Sequence, residues 1–407
     1  MKSMGRALAA GVLGGALALT TACSGGSGSG GTGGGSGSGG AKSPSASKSA
    51  VSAAVVSIAP ANGATDVKPS GALKVSVASG KLSTVTVTDK DGKPVAGSIS
   101  ADGASWLPTG NLSVGMQYQV SAQAADANGV VAASTSTFTT LTPTKDANPH
   151  GNVTDGETVG VGMIVSLSFD HDVKDKAAVL QGVTFDTPGN IPVKGHWFGS
   201  RRVDFRPEQY WPANSKVTVH YRLKSVEVAP GIYGGVDADR QFTIGRSQIS
   251  TVDASTHEMS VVRNGQPYET IPISTGASQP KSWNAYNGTM VIEAKEGTAT
   301  MDSSTVPGLQ GAAYKEKVPH SLRLTDSGTY VHGNNWSSHS VFGNTNVSHG
   351  CVGLEDAPGD AGSESSSAGK YYADAMVGDV VTIKNSVGEQ VSPDNGLSGW
   401  NINWANW

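Results

Sequence analysis

The stretch from Val331 to Glu355, VHGNNWSSHSVFGNTNVSHGCVGLE, decides how the whole chain is read. It opens on a strand-like run that reaches His332, crosses a polar segment of Asn, Ser and Gly, and closes on Ser348-His349-Gly350-Cys351. Three of the nine histidines, at 332, 339 and 349, fall inside it, beside one of only two cysteines in 407 residues. A cysteine serves as staple, metal ligand, core residue or nucleophile. The remainder of the sequence narrows that choice.

The other cysteine, Cys23, ends the segment MKSMGRALAAGVLGGALALTTAC, where Lys2 and Arg6 precede a run of apolar and small residues. The run is shorter than the ~20 residues that span a bilayer, so residues 1–23 read as an export signal. LTTAC resembles a bacterial lipobox, although Thr20 stands where leucine is usual. That resemblance implies lipidation of Cys23 and a membrane anchor; an ordinary cleaved signal before an incidental cysteine fits the same residues. Residues 24–50 are almost all Gly, Ser, Ala, Thr and Lys, the composition of a flexible tether. Its reach is roughly 25–30 Å by Gly-rich coil scaling.

With Cys23 so used, Cys351 lacks a partner for an intramolecular disulfide. The chain contains no CxxC pair and no HExxH, so zinc is not indicated and no cofactor is called for. Charge is nearly balanced, 29 basic against 33 acidic residues without a basic stripe, which excludes nucleic acid as a partner. Core residue and nucleophile remain. A neighbouring imidazole able to take the thiol proton is what a nucleophile would need, because free cysteine is mostly protonated near neutrality. His349 and His332 both qualify, and spacing alone does not choose between them.

Ahead of this region lie two segments of one style. Residues 51–142 alternate apolar positions in LKVSV and predict a hairpin about Asp91-Gly92; residues 143–246 repeat the alternation in VSLSF. Trp106, Pro108, Leu112, Tyr118 and Val120 recur at the same offsets as Phe205, Pro207, Trp211, Val217 and Val219. Two tandem β-sandwiches fit this echo. The third unit, residues 247–386, predicts a hairpin at Asn264-Gly265, further strands and a helix over 369–376. Residues 387–407 form a tail with three of the eight tryptophans, Trp400, Trp404 and Trp407. Aromatics so dense predict packing in the groove between the third unit and the preceding sandwich.

The spaced pattern His332-x15-Ser348-His349-Gly350-Cys351 resembles the active-site signature of the L,D-transpeptidase catalytic domain, the YkuD-type fold. PISTG (Pro272–Gly276), TMDSST (Thr300–Thr305) and VHGNNW follow the family's order, and the flanking units resemble the architecture of actinobacterial members. The resemblance implies an all-β chain: two Ig-like sandwiches, a β-rich catalytic domain with a short helix, and a Trp-rich tail. It further implies Cys351 as nucleophile, His332 as general base, the Gly333 carbonyl as its orienting group, and His349 as a positioning residue. Ser348 and Gly350 share the motif, with Gly350 expected to let backbone amides reach an oxyanion. Tyr314, Met301, Trp336 and Asn334 are the implied substrate contacts. Gly353 departs from the family, which commonly carries Asn or Arg there.

On these grounds the expected reaction is acyl transfer on peptidoglycan stem peptides. Cys351 would form a thioester on a tetrapeptide donor, and a neighbouring stem's amine would resolve it into a 3→3 cross-link. Water as acceptor would make a carboxypeptidase, a cysteine endopeptidase would cut internal bonds, and an inert Cys351 would leave a wall-binding module. Carbapenems are expected inhibitors on family grounds. The chain is read as an extracytoplasmic monomer, anchored at Cys23 and facing the wall.

Overall fold

The computed structural model describes residues 51–305 and 315–407. Cys23 and Tyr314 lie outside the described residues. Strands dominate, with two short α-helices, Lys176–Gln181 and Ser367–Asp374, among the described residues.

The first sandwich stacks two four-stranded sheets. Trp106, Leu112, Tyr118, Val120 and Phe138 are buried between them. The second repeats the plan, with Phe205, Trp211, Val217, Val219 and Phe242 buried. The residues that recur at matched offsets are thus inward-facing, as period-two alternation requires. The Asp91-Gly92 hairpin forms as a short one: the Asp89 amide donates to the Lys93 carbonyl at 3.0 Å and the Val95 amide to the Val87 carbonyl at 2.9 Å, with Thr88 and Pro94 bridged antiparallel. Asp89 caps the turn by accepting from the Asp91 and Lys93 amides, each at 2.9 Å. The chain then leaves the strand Lys81–Asp89, and the strand Gly97–Ile99 pairs with Ser105–Pro108 in the opposite sheet. A turn signal fixes a reversal; it does not fix which sheet receives the returning chain.

The third unit is built on one nine-stranded sheet. Its order is Gly288–Val291, Val380–Lys384, Gln248–Asp253, Glu258–Arg263, Gln266–Ser274, Val352–Glu355, Tyr330–Asn334, Lys315–Arg323 and Ala294–Asp302. The Asn264-Gly265 hairpin forms with both turn residues at positive φ, 52° and 78°, as a tight two-residue turn requires. Two central neighbours, Tyr330–Asn334 and Val352–Glu355, run parallel, with His332 beside Gly353. Cys351 immediately precedes the second of them. That pairing carries the two ends of the opening stretch to one end of the sheet.

The tail folds back over the second sandwich. Trp400 donates its indole N–H to Gly162 at 2.7 Å, and Trp407 donates to Lys194 at 2.9 Å. Trp400 and Trp407 also face the Arg206 guanidinium at 4.6 and 4.3 Å from their ring centres. Val291, Val380 and Leu397 share a buried cluster with Val159, Val161 and Ile164 of the second sandwich.

Candidate active site

The motif turn is closed from inside. Ser348 donates its hydroxyl to the Cys351 carbonyl at 2.6 Å and accepts from the Gly350 amide at 3.2 Å. Gly350 adopts φ 118°, a backbone conformation open mainly to glycine. Its amide donates to Ser348, so the glycine shapes the motif turn. The PISTG segment supports the turn: Ser348 donates its amide to Thr275 at 3.0 Å, and Gly276 bridges to Ser348.

His332 is buried, with Nδ1 3.0 Å from the Gly333 carbonyl. A carbonyl only accepts, so Nδ1 carries the proton and Nε2 is left as the acceptor. Trp336 stacks on the imidazole at 5.7 Å between ring centres while remaining exposed itself. The Cys351 thiol donates to the Gly328 carbonyl at 3.6 Å. Burial pushes this thiol up to about 11. Burial also holds His332 below the usual imidazole value, against the Gly333 hydrogen bond and the negative charge of Asp356, which raise it. Burial thus favours the neutral forms of both thiol and imidazole over an ion pair.

His349 takes a different position from His332. Its ring lies 3.9 Å from that of Trp283, and burial lowers its proton affinity too. Both histidines and Cys351 line a cavity of about 820 Å³. Met301, Asn334, Trp336 and Ser348 line it as well, so every anticipated contact among the described residues opens on this cavity or, like Gly333 and Gly350, shapes its wall. Asn334 is buried, holding the following turn through the Ser337 amide and hydroxyl, each at 3.0 Å. Its side chain fills the space beside Gly353: a Cβ there would approach Asn334 Cβ to 3.2 Å. Gly353 thus leaves room for the Asn334 side chain of the adjoining strand.

The sequence did not single out Trp283, Glu316, Lys317 or Asp360, which also line it. Lys317 pairs with Asp360 at 3.1 Å. Charged residues at strand ends carry no signal of a shared cavity until the sheet order is known.

Residues 64–227 match a family described as a bacterial Ig domain, and residues 247–383 match the L,D-transpeptidase catalytic domain. The chain is similar to L,D-transpeptidase 2 of Mycobacterium tuberculosis, 33% identical over 350 residues that cover 85% of this chain and 82% of that protein. L,D-transpeptidase 5 of the same species is 30% identical over 354 residues, 86% of this chain and 75% of the relative. A solved L,D-transpeptidase from Mycobacterium smegmatis aligns with TM-score 0.45 at 27% identity, covering 60% of this chain and all of that one (100%).

Proposed function

The chain belongs to the L,D-transpeptidase family, and from that premise we propose that Cys351 carries the acyl group and His332 moves the proton. The substrates are peptidoglycan stem peptides. The observation that carries this reading is the meeting of Cys351 and His332 on one cavity wall, with Nδ1 of His332 already committed to the Gly333 carbonyl.

With the neutral forms of both groups favoured, the thiolate forms only as attack begins. His332 Nε2 takes the Cys351 proton while sulfur adds to the carbonyl of the donor's third residue. Collapse breaks the bond to the terminal D-alanine, whose nitrogen receives the proton from His332. A thioester remains. The side-chain amine of a second stem's third residue then attacks it, His332 again taking and returning one proton, and sulfur leaves as thiol. The product is a 3→3 cross-link, formed for one D-alanine released. His349 packs at a tilt against Trp283 and positions the motif turn, without a place in the proton path. Met301, Trp336 and Asn334 contact the stem.

A lipid on Cys23, the tether over residues 24–50 and the two sandwiches would hold this cavity out toward the wall. A carbapenem would acylate the same thiol by opening its strained lactam. Intact-mass analysis after carbapenem exposure tests the assignment. One covalent adduct on the wild type, none on Cys351→Ala and a rate at least about 100-fold slower on His332→Ala are expected. An adduct on Cys351→Ala would overturn it.

A further inference from the structure

The proposed dyad contains no carboxylate, yet one lies directly behind it. Asp356 is the first residue after the strand Val352–Glu355, and its side chain is fully buried. A Cβ on Gly333 would fall 2.1 Å from Asp356 Oδ2, so the carboxylate fills the space that a side chain at 333 would need. Gly333 is the residue whose carbonyl accepts from His332. The negative charge therefore sits one residue away from the imidazole, on the side remote from the cavity.

Three donors hold it there. His320 Nδ1 lies 2.7 Å from Oδ2, and the Ala357 and Ser363 amides donate to Oδ1, both at 2.8 Å. The two amides bind the loop over 357–363, which supplies Gly359 and Asp360 to the cavity wall. His320 is buried at φ 51°, a left-handed conformation rare for a β-strand residue. It sits where the pairing of Lys315–Arg323 with Ala294–Asp302 slips register. The charged and titratable groups around the carboxylate are few. His320 comes from the strand Lys315–Arg323, with Glu364 3.7 Å from its other nitrogen and Tyr372 of the helix against its ring at 5.5 Å. His332 and Cys351 lie on the cavity side, and the Lys317–Asp360 pair lies at the surface.

We infer that Asp356 is a positioning residue for the transfer: its buried carboxylate supports the positive charge that His332 acquires on taking the Cys351 proton, while His320 holds that carboxylate in place. The inference rests on the reading that Cys351 and His332 act together. With the neutral forms favoured over an ion pair, the cost of charging His332 falls within the acylation step, so a fixed negative charge nearby speeds that step. Three donors from two segments, the His320 strand and the 357–363 loop, keep the carboxylate from turning toward solvent.

The test is the pH profile of Cys351 alkylation by iodoacetamide in the full extracytoplasmic protein, beside D-alanine release from a disaccharide-tetrapeptide. Asp356→Asn keeps an acceptor for the two loop amides and removes the charge. Its plateau rate is expected to fall about tenfold, the equivalent of one unit in proton affinity. Its acid limb is expected to move to lower pH, because His332 then binds its proton less tightly. Asp356→Ser, whose hydroxyl also accepts from the loop, should move the limb in the same direction. His320→Gln keeps a donor to the carboxylate and should stay within about twofold of wild type.

A fall in rate with an unmoved limb would mark a merely structural role and overturn the inference, as would an unchanged profile. His332→Ala separates the two levels. If it labels as fast as wild type, the dyad reading fails and takes this inference with it. If it labels slowly while Asp356→Asn is unchanged, only the inference fails.

Discussion

The two joints between domains are built from different materials. Between the first and second sandwiches the contacts are polar and sparse: Lys68 with Glu227 at 3.0 Å, and the Val114 amide with the Ser225 hydroxyl at 3.2 Å. Each side keeps its own core. Between the second sandwich and the catalytic unit the core is continuous. Backbone bonds also cross there, from Gly160 to Val377 at 2.7 Å and from Gly162 to Gly378 at 2.8 Å. Arg246 reaches both carboxylate oxygens of Asp379, and the tail straps the outside. The second sandwich is thus part of the catalytic body, and the first is an arm attached to it. Apolar burial scales with area and resists water, whereas exposed ion pairs are screened and contribute little.

The largest effect is expected where backbone meets backbone. A Cβ on Gly160 would fall 2.4 Å from the Asp379 amide nitrogen, so Gly160→Leu must push the two units apart. A loss of at least about 3 kcal/mol is expected, read as poor solubility or a strongly lowered melting temperature. Trp407→Ala removes the face against Arg206 and the bond to Lys194. It should cost about 2–3 kcal/mol in denaturant unfolding, with turnover retained in the folded fraction.

The apolar joint also carries a pH signature. Glu293 accepts from the Leu397 amide at 2.8 Å, and burial, reinforced by Asp326, pushes its carboxyl up to about 7. In the unfolded chain it ionises near the ordinary carboxylate value. Between those two values the folded protein holds more protons, so stability is present below the lower one and is lost as pH rises through the higher. The loss is of the order of 3 kcal/mol at most. The wild-type melting temperature should therefore fall more between pH 5 and pH 8 than that of Glu293→Gln. Equal slopes would remove Glu293 from the account.

The smallest effect belongs to the arm. Glu227→Ala breaks the exposed pair with Lys68 and should leave melting temperature and cross-linking rate unchanged. A clear drop in either would show that the first joint is stiffer than its contacts imply.

The sandwiches were legible because their inward residues repeat at matched offsets, and period-two alternation points each of them to the core. The hairpin at Asn264-Gly265 was legible for the same local reason. Asp91-Gly92 likewise marks a real but short hairpin, and only the sheet that receives the chain beyond it is not a local choice. In the site, His332 and Cys351 stood out through a rare spaced motif, although their approach depends on a parallel pairing that spacing does not encode. His320 and Asp356, 36 residues apart, had no such flag. Neither did the apolar joint, since Val291, Val380 and Leu397 read as ordinary core residues until the fold brings them to the second sandwich.

The central claim is that Cys351 transfers a stem peptide to an amine. It is tested most directly by mass spectrometry of the extracytoplasmic protein incubated with a disaccharide-tetrapeptide, beside Cys351→Ala. The account predicts a dimer lighter than two monomers by one D-alanine, absent from the variant. Tripeptide monomer as the sole product would make water the acceptor and contradict the cross-linking claim. A dimer formed equally by Cys351→Ala would contradict the role of the thiol itself.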